Sequence, residues 1–182
     1  MEILTSTPAD TSADAAYDRF LSAYEGSNLL GYYTLTFRDV ISQTLGDEFF
    51  YFVATQAAQP VAILPGFLRR TPAGNVFNSL PFFGPNAGIL YDPDCDREVV
   101  FAALFEALEE LMRTENVISA SVYEPLFSQD RDLYERHFRP THVTRRSTQV
   151  TDLTHELSWS KAREWDIRKA RRSGVETVPG AV

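Results

Sequence analysis

The chain has 182 residues, 25 acidic and 17 basic side chains, a formal net charge of −8, 44 % hydrophobic and 23 % charged residues. These proportions exclude a disordered or fibrous chain, and the length is that of one domain able to bury most of its apolar surface. No apolar run approaches the ~20 residues of a membrane span. The first residues, MEILTSTPAD, have no basic and then apolar stretch of a signal peptide. Cytoplasm is therefore the expected location, and the single Cys95 agrees with it because one thiol makes no internal disulfide.

The charge is unevenly spread. Residues 1–130 hold 18 acids and 6 bases, a net of −12, whereas residues 131–182 hold 7 acids and 11 bases, a net of +4. The densest basic stretch, Lys161 to Arg172, has six bases and two acids. The total of −8 argues against whole-surface attraction to nucleic acid or anionic lipid, but leaves local attraction at this stretch.

Glu2 to Ser6 is predicted as a first strand. Ala16, Tyr17, Phe20, Leu21 and Tyr24 then recur on one helix face, after a cap at Thr11 or Ser12 and with Gly26 as the stop. A second helix is predicted over Phe37–Leu45, with Phe37, Val40, Ile41 and Leu45 inward and Gly46 at its end. Glu48–Thr55 is aromatic and β-branched, QAAQ makes a turn, and Pro60–Arg70 is the next strand, with a bulge or break at Pro65. Thr71–Gly74 turns into a third strand over Asn75–Leu80, completing an antiparallel meander.

Residues 80–94, LPFFGPNAGILYDPD, show no period and read as a structured loop, a common place for function. Asp96–Glu115 is the strongest helix, with Val100, Ala103, Leu104, Ala107, Leu108, Leu111 and Met112 on one face. Val117–Tyr123 alternates as a strand, Asp130–Phe138 is a short helix, and Arg145–Leu153 is a strand. Leu157–Ser173 is a helix ended by Gly174, and Val175–Val178 opens one more strand. Strands mixed with helices, an early meander and a late crossover predict a mixed-sheet α/β or α+β domain.

Few motifs carry chemistry. Asp92 to Glu98 superficially resembles a calcium loop, but Arg97 and Ala103 stand where such a loop needs Gly and Glu, so an acidic helix start is the better account. The aspartates around Cys95 disfavour its thiolate. His137, His142 and His155 have no metal-ligand spacing, and no HExxH, GxSxG or GxxxxGK[ST] occurs. In the 81–88 loop, Gly84 and Gly88 allow close backbone approach, Phe82 and Phe83 offer flat walls and Asn86 an amide; these line a pocket or simply build a packed turn. In residues 159–175, Lys161, Arg163, Arg168, Lys169, Arg171 and Arg172 surround an imperfect stripe of Ala162, Trp165, Ile167 and Ala170. That face suits phosphates, or is a solvated surface with pairs such as Glu164 with Arg168.

WDIRKARRSGVE, residues 165–176, resembles the IRKA-x-x-x-GVE signature of FemAB-like acyltransferases, and NSLPFFGPNAGIL, residues 78–90, is similar to the aromatic-glycine segment of the same family. The order of predicted elements also resembles a GNAT-like topology. Ala87-Gly88 stands where the family often has Gly-Gly, and Glu164 where it often has Arg, with Arg163 one place earlier. The [QR]-x-x-G-x-[GA] pyrophosphate loop of ordinary acetyl-CoA enzymes of this fold is absent.

The resemblance implies a GNAT-like mixed, mostly antiparallel central sheet flanked by helices, formed by residues 1–182 as the N-terminal part of a longer two-domain protein. It implies an N-acyltransferase of peptidoglycan cross-bridge type that joins an amine to an acyl group from acyl-CoA or aminoacyl-tRNA. The acceptor would be a small molecule or peptidoglycan precursor, and tRNA would meet the basic C-terminal helix. Phe82, Phe83, Gly84, Asn86 and Gly88 would border the acceptor site together with Tyr33 and Thr36, and Arg163, Arg168 and Lys169 would meet phosphate. No catalytic residue follows from the resemblance; Glu124, at a strand end, is the carboxylate available as a base. A single-domain acyl-CoA-dependent enzyme and a non-catalytic ligand-binding module are the alternatives. No metal and no resident cofactor are expected.

Overall fold

The computed structural model describes residues 1–25, 31–79, 87–145, 147 and 160–176. Residues 1–144 form one compact unit and residues 145–182 another. The first contains β1 (Glu2–Ser6), α1 (Asp14–Ala23), a 3-10 turn (Gly31–Tyr33), α2 (Leu35–Leu45), β2 (Glu48–Phe49), β3 (Tyr51–Gln56), β4 (Gln59–Leu64) and β5 (Phe67–Arg69). It continues with β6 (Asn75–Asn78), β7 (Leu90–Tyr91), α3 (Arg97–Thr114), β8 (Val117–Ser121) and α4 (Arg131–His137). The described part of the second unit contains α5 (Lys161–Arg172).

Two ladders run β1-β3-β4-β7 and β2-β5-β6-β8, antiparallel except for the parallel pair β6–β8. They are two halves of one bent meander. The predicted strand over Glu48–Thr55 breaks at Phe50, and that over Pro60–Arg70 breaks at Pro65 and Gly66. The breaks face each other, since Phe50 N–H donates to Gly66 O at 2.8 Å. Pro65 has no N–H for the ladder. A Cβ on Gly66 would lie 2.1 Å from the Phe77 ring, so only glycine lets that ring sit on the corner.

Helices cover both faces. Phe52, Ala54, Ala62 and Leu64 point toward Leu104, Phe105 and Leu108 of α3. The intervening Tyr51, Val53 and Ile63 point toward Tyr17 and Phe20 of α1. The strand period of two thus divides one segment between two cores, which is why EFFYFVAT is apolar at nearly every position.

Several boundaries differ from expectation. Helix α1 has Ala13 at its cap position, without a side-chain cap, rather than Thr11 or Ser12. Helix α2 starts at Leu35 because the Thr34 hydroxyl accepts Phe37 N–H at 3.2 Å. Val40 is exposed and Arg38 is the buried residue of that helix. Helix α3 matches, capped by Asp96, but its inward face also takes in Phe101 and Phe105. Strand β8 ends at Ser121, before Tyr123. Helix α5 starts at Lys161 rather than Leu157, because extended Ser160 caps it by accepting Arg163 N–H. Val175 and Glu176 are not in a strand, and most of the predicted strands over Arg145–Leu153 and Val175–Val178 lies outside the described residues, as does Gly26.

Candidate functional site

The strand register changes between β6 and β7. Phe67 pairs with Asn78 on β6, so an unbroken register would bring Ile63 opposite residue 82; it pairs with Leu90 of β7 instead. The register has advanced by eight residues. Between Asn78 and Leu90, residues 80–86 lie outside the described residues. β7 itself was hidden in a stretch that reads as loop. Two residues and no alternation give no strand signal.

The advance begins where the parallel pair ends. Ser79 N–H donates to Ser121 O at 3.0 Å, and the Ser79 hydroxyl accepts Tyr123 N–H at 3.0 Å. That side-chain bond staples β6 to β8 at their carboxyl ends. Ligand sites in sheets with parallel strands favour this edge, because the loops diverge there.

Three tyrosines crowd the edge. Tyr33 Oη donates to Gly88 O at 3.3 Å, and Tyr134 Oη accepts Ile89 N–H at 2.8 Å. A Cβ on Gly88 would lie 2.2 Å from Tyr134 Oη, 2.3 Å from Tyr123 O and 2.8 Å from Pro125 Cδ. Gly88 therefore serves a close approach, as glycine there suggests, but to the protein's own side chains. Burial pushes the Tyr33 and Tyr134 phenols far above their ordinary range, so both act as neutral hydroxyls.

Of the predicted residues, Tyr33 and Gly88 are brought together. Thr36 is exposed on α2. Phe82, Phe83, Gly84 and Asn86 lie outside the described residues. Glu124 is partly buried between Tyr123 and Pro125, both of which close on Gly88. Ser79, Tyr123 and Tyr134 were missed. Serine and tyrosine in short elements carry no motif, and only the fold brings them to one edge.

In the second unit, every residue of α5 is exposed except the half-buried Ala170. Trp165, Arg168, Lys169 and Arg172 line one hollow of about 340 Å³. Lys169 Nζ sits 5.0 Å from the Trp165 ring centre, a cation-π distance. Arg168 meets Glu164 at 3.7 Å, the predicted four-residue pair. Arg163 is five residues before Arg168, about 140° round the helix, so it does not share that face.

No family model matches the sequence, and no curated protein matches it. Solved structures do. A probable acetyltransferase aligns with a TM-score of 0.52 at 14 % identity, over 88 % of this chain and 100 % of that one. An aminoglycoside acetyltransferase from an uncultured soil metagenomic sample, in complex with trehalose, gives 0.53 at 15 %, over 86 % and 96 %. The ribosomal-protein-alanine N-acetyltransferase of Brucella melitensis biovar Abortus gives 0.51 at 12 %, over 84 % and 100 %. This chain has the GNAT acetyltransferase fold. At these identities the likeness is one of fold.

The fold raises the matter of a CoA pyrophosphate at the start of the long helix, where backbone N–H groups hold phosphates. The residues there do not fit it. Asp96 caps α3 and takes Val99 N–H at 3.3 Å, and Asp92, Asp94 and Glu98 are exposed around it. Asp92, Asp94 and Asp96 oppose a phosphate at that terminus, while Glu98 is paired with Arg136 and His137. Among the described residues, no cluster of His, Cys, Asp or Glu is arranged for a metal ion, and no helix is long and apolar enough to cross a membrane.

Proposed function

We propose that this chain is a FemAB-like N-acyltransferase domain, the front part of a two-domain cytoplasmic protein, that joins an amine to an activated acyl group. The observation that carries this reading is the eight-residue register advance at the carboxyl edge of the parallel pair, within a GNAT fold. The advance lies between Asn78 and Leu90, which bound the sequence that resembles the family's aromatic-glycine motif, and this supports the reading.

In the reaction the amine nitrogen attacks the acyl carbonyl, the C–N bond forms and the oxygen gains negative charge. The C–O bond of an aminoacyl ester, or the C–S bond of a thioester, then breaks. The amine proton is lost and the leaving group gains one. Such a reaction needs positioning and hydrogen bonds to the oxyanion more than a protein nucleophile. Cys95 is unsuited to that role, since burial first and then Asp92 and Asp96 push its thiol up to about 11. The 81–88 segment, Tyr33 and Thr36 border the acceptor, a small molecule or peptidoglycan-precursor amine. Arg168 and Lys169, with Arg163 on another face, meet the phosphates of the donor, and the aminoacyl ester of a tRNA suits such a cationic face better than the carboxylate-ringed start of α3.

One observation favours a second reading, a single-domain enzyme using acyl-CoA: this chain covers 96–100 % of the acetyltransferases described above. The test measures amide formation by the 182-residue chain and by the product of the whole reading frame, each with acyl-CoA and with aminoacyl-tRNA. Turnover by the longer protein with aminoacyl-tRNA, weakened and less salt-dependent in Arg168→Ala/Lys169→Ala, supports the first reading. Turnover of acyl-CoA by the 182-residue chain alone supports the second. Binding of an acceptor without turnover by either protein leaves a non-catalytic module. An unchanged double variant removes the phosphate role.

A further inference from the structure

We propose that a second cleft, bounded by Tyr24, Tyr91 and Phe127 and floored by Arg97 and Asp130, binds a neutral polyhydroxylated ring, a monosaccharide unit. It has a volume of about 310 Å³, at the small end of ligand pockets. This inference goes beyond acyl transfer and requires no chemistry.

The floor is held in place before any ligand arrives. The Asp130 side chain is 5 % exposed and accepts three hydrogen bonds: from Tyr91 Oη at 2.8 Å, from Ser128 Oγ at 3.0 Å and from an Arg97 Nη at 3.0 Å. These bonds fix the Tyr91 ring and the guanidinium as rigid walls, which lowers the ordering cost of binding. Arg97 remains 55 % exposed, with N–H groups beyond those that meet Asp130 and Tyr91.

Phe127 supplies the third ring at a conformational cost. Its φ is 61°, in the left-handed region that a bulky side chain rarely adopts, and it is 65 % exposed. Backbone strain that presents an apolar ring to solvent is the kind of feature that marks a binding site. Here it puts a flat face on the rim of a formed cleft.

Charge selects the ligand. Arg97 and Asp130 cancel within the cleft. An anion approaching Arg97 meets exposed Asp92, Asp94 and Asp96 nearby in sequence, with Glu98 one residue beyond it. A cation meets the guanidinium itself. A neutral ring avoids both penalties. Its C–H faces lie on the aromatic walls, and its hydroxyls pair with Arg97 and with the Gln129 amide, which also lines the cleft.

The test is an NMR titration of the 182-residue chain with the methyl glycosides of glucose, galactose and N-acetylglucosamine. Benzylamine and benzoate serve as cationic and anionic ring probes. The expected result is saturable shifts at Tyr91, Arg97 and Phe127 with at least one glycoside, and an affinity about tenfold weaker in Phe127→Gly and in Gln129→Ala. Glycine relieves the left-handed strain at 127 and Gln129 is exposed, so neither variant threatens folding. Binding of no glycoside, binding of the charged probes alone, or equal affinity in both variants overturns the proposal. None of these outcomes bears on acyl transfer.

Discussion

Arg38 and Asp14 form a two-pronged ion pair between α2 and α1, with Nη–Oδ distances of 2.6 and 2.9 Å. Arg38 is 4 % exposed, its guanidinium lies 4.1 Å from the Phe49 ring centre, and one Nη also donates to Ser6 Oγ at 3.2 Å. The pair ties both helices to the end of β1, so the helical layer depends on it. A neutral side chain at 38 leaves a partly buried carboxylate without its partner, which costs about 3 kcal/mol. We expect Arg38→Met to lower the urea midpoint accordingly. Arg38→Lys should recover only part of the loss, because an ammonium lacks the planar fork. A loss below about 1 kcal/mol for Arg38→Met, the scale of an exposed pair, would show that the pair is loosely held.

The same pair sets an acid limit. Burial acts to raise the Asp14 pKa, but hydrogen bonds from Arg38 and Ser6 and the charge of Arg38 together hold it below the ordinary value. The folded state therefore binds fewer protons than the unfolded chain, whose Asp titrates near pH ~4. This contribution is complete above about pH 5 and is lost as the pH falls through the folded value. Asp14→Asn should be less stable than the parent at pH 7, and the gap should narrow toward pH 3, read from urea midpoints. A constant gap across that range would sink the linkage.

Arg38 also shows where sequence patterns run out. The α2 periodicity assigns Val40 to the core, yet Val40 is 56 % exposed, because an arginine with a carboxylate and an aromatic ring to meet takes the inward position. Hydrophobic periodicity has no representation of a buried ion pair. The long helix α3 was legible because its apolar face is wide and its cap is an aspartate. The 80–94 stretch reads as loop because it has no period, and the two-residue strand β7 inside it is too short to give one. The tyrosines that close on Gly88 come from positions 33, 123 and 134, a separation that no local pattern spans.

The hairpin between β3 and β4 is a turn its residues do not favour. Gln56 pairs with Gln59, and the two residues between them, Ala57 and Ala58, have φ of 49° and 63°. Two successive left-handed residues define the two-residue hairpin that Asn-Gly prefers. The alanines have little side chain to clash, but each still pays a backbone cost there. Ala57→Asn/Ala58→Gly should stabilise the protein by about 1 kcal/mol, seen as a higher melting temperature with unchanged near-ultraviolet circular dichroism. No gain would mean that the turn relaxes to another form in solution.

Cys95 should be a slow thiol. Burial is the larger cause of its pKa of about 11, with Asp92 and Asp96 adding to it. The thiolate is then rarer at neutral pH by roughly two orders of magnitude than in an ordinary exposed cysteine. Ellman's reagent at pH 7.5 should react with the native chain far more slowly than with the chain in urea. A fast native reaction would place the thiol outside its aspartate surroundings.

Gly88 and Tyr134 give the sharpest test of the strand edge. An added methyl at 88 meets Tyr134 Oη at 2.2 Å and Tyr123 O at 2.3 Å, and the second is backbone. Gly88→Ala must therefore displace the edge, at a cost of about 2 kcal/mol or more. Tyr134→Phe removes Oη and leaves Ile89 N–H, in a buried residue, without its acceptor, at about 1–2 kcal/mol. If Tyr134 Oη were the sole obstacle, Gly88→Ala would cost little in the Tyr134→Phe background. Because Tyr123 O remains, we expect Gly88→Ala to keep most of its cost there, measured by a double-mutant cycle in urea. Full relief in the double variant would show that the Tyr123 carbonyl is free to move, and that the edge around Gly88 is more pliable than its packing suggests.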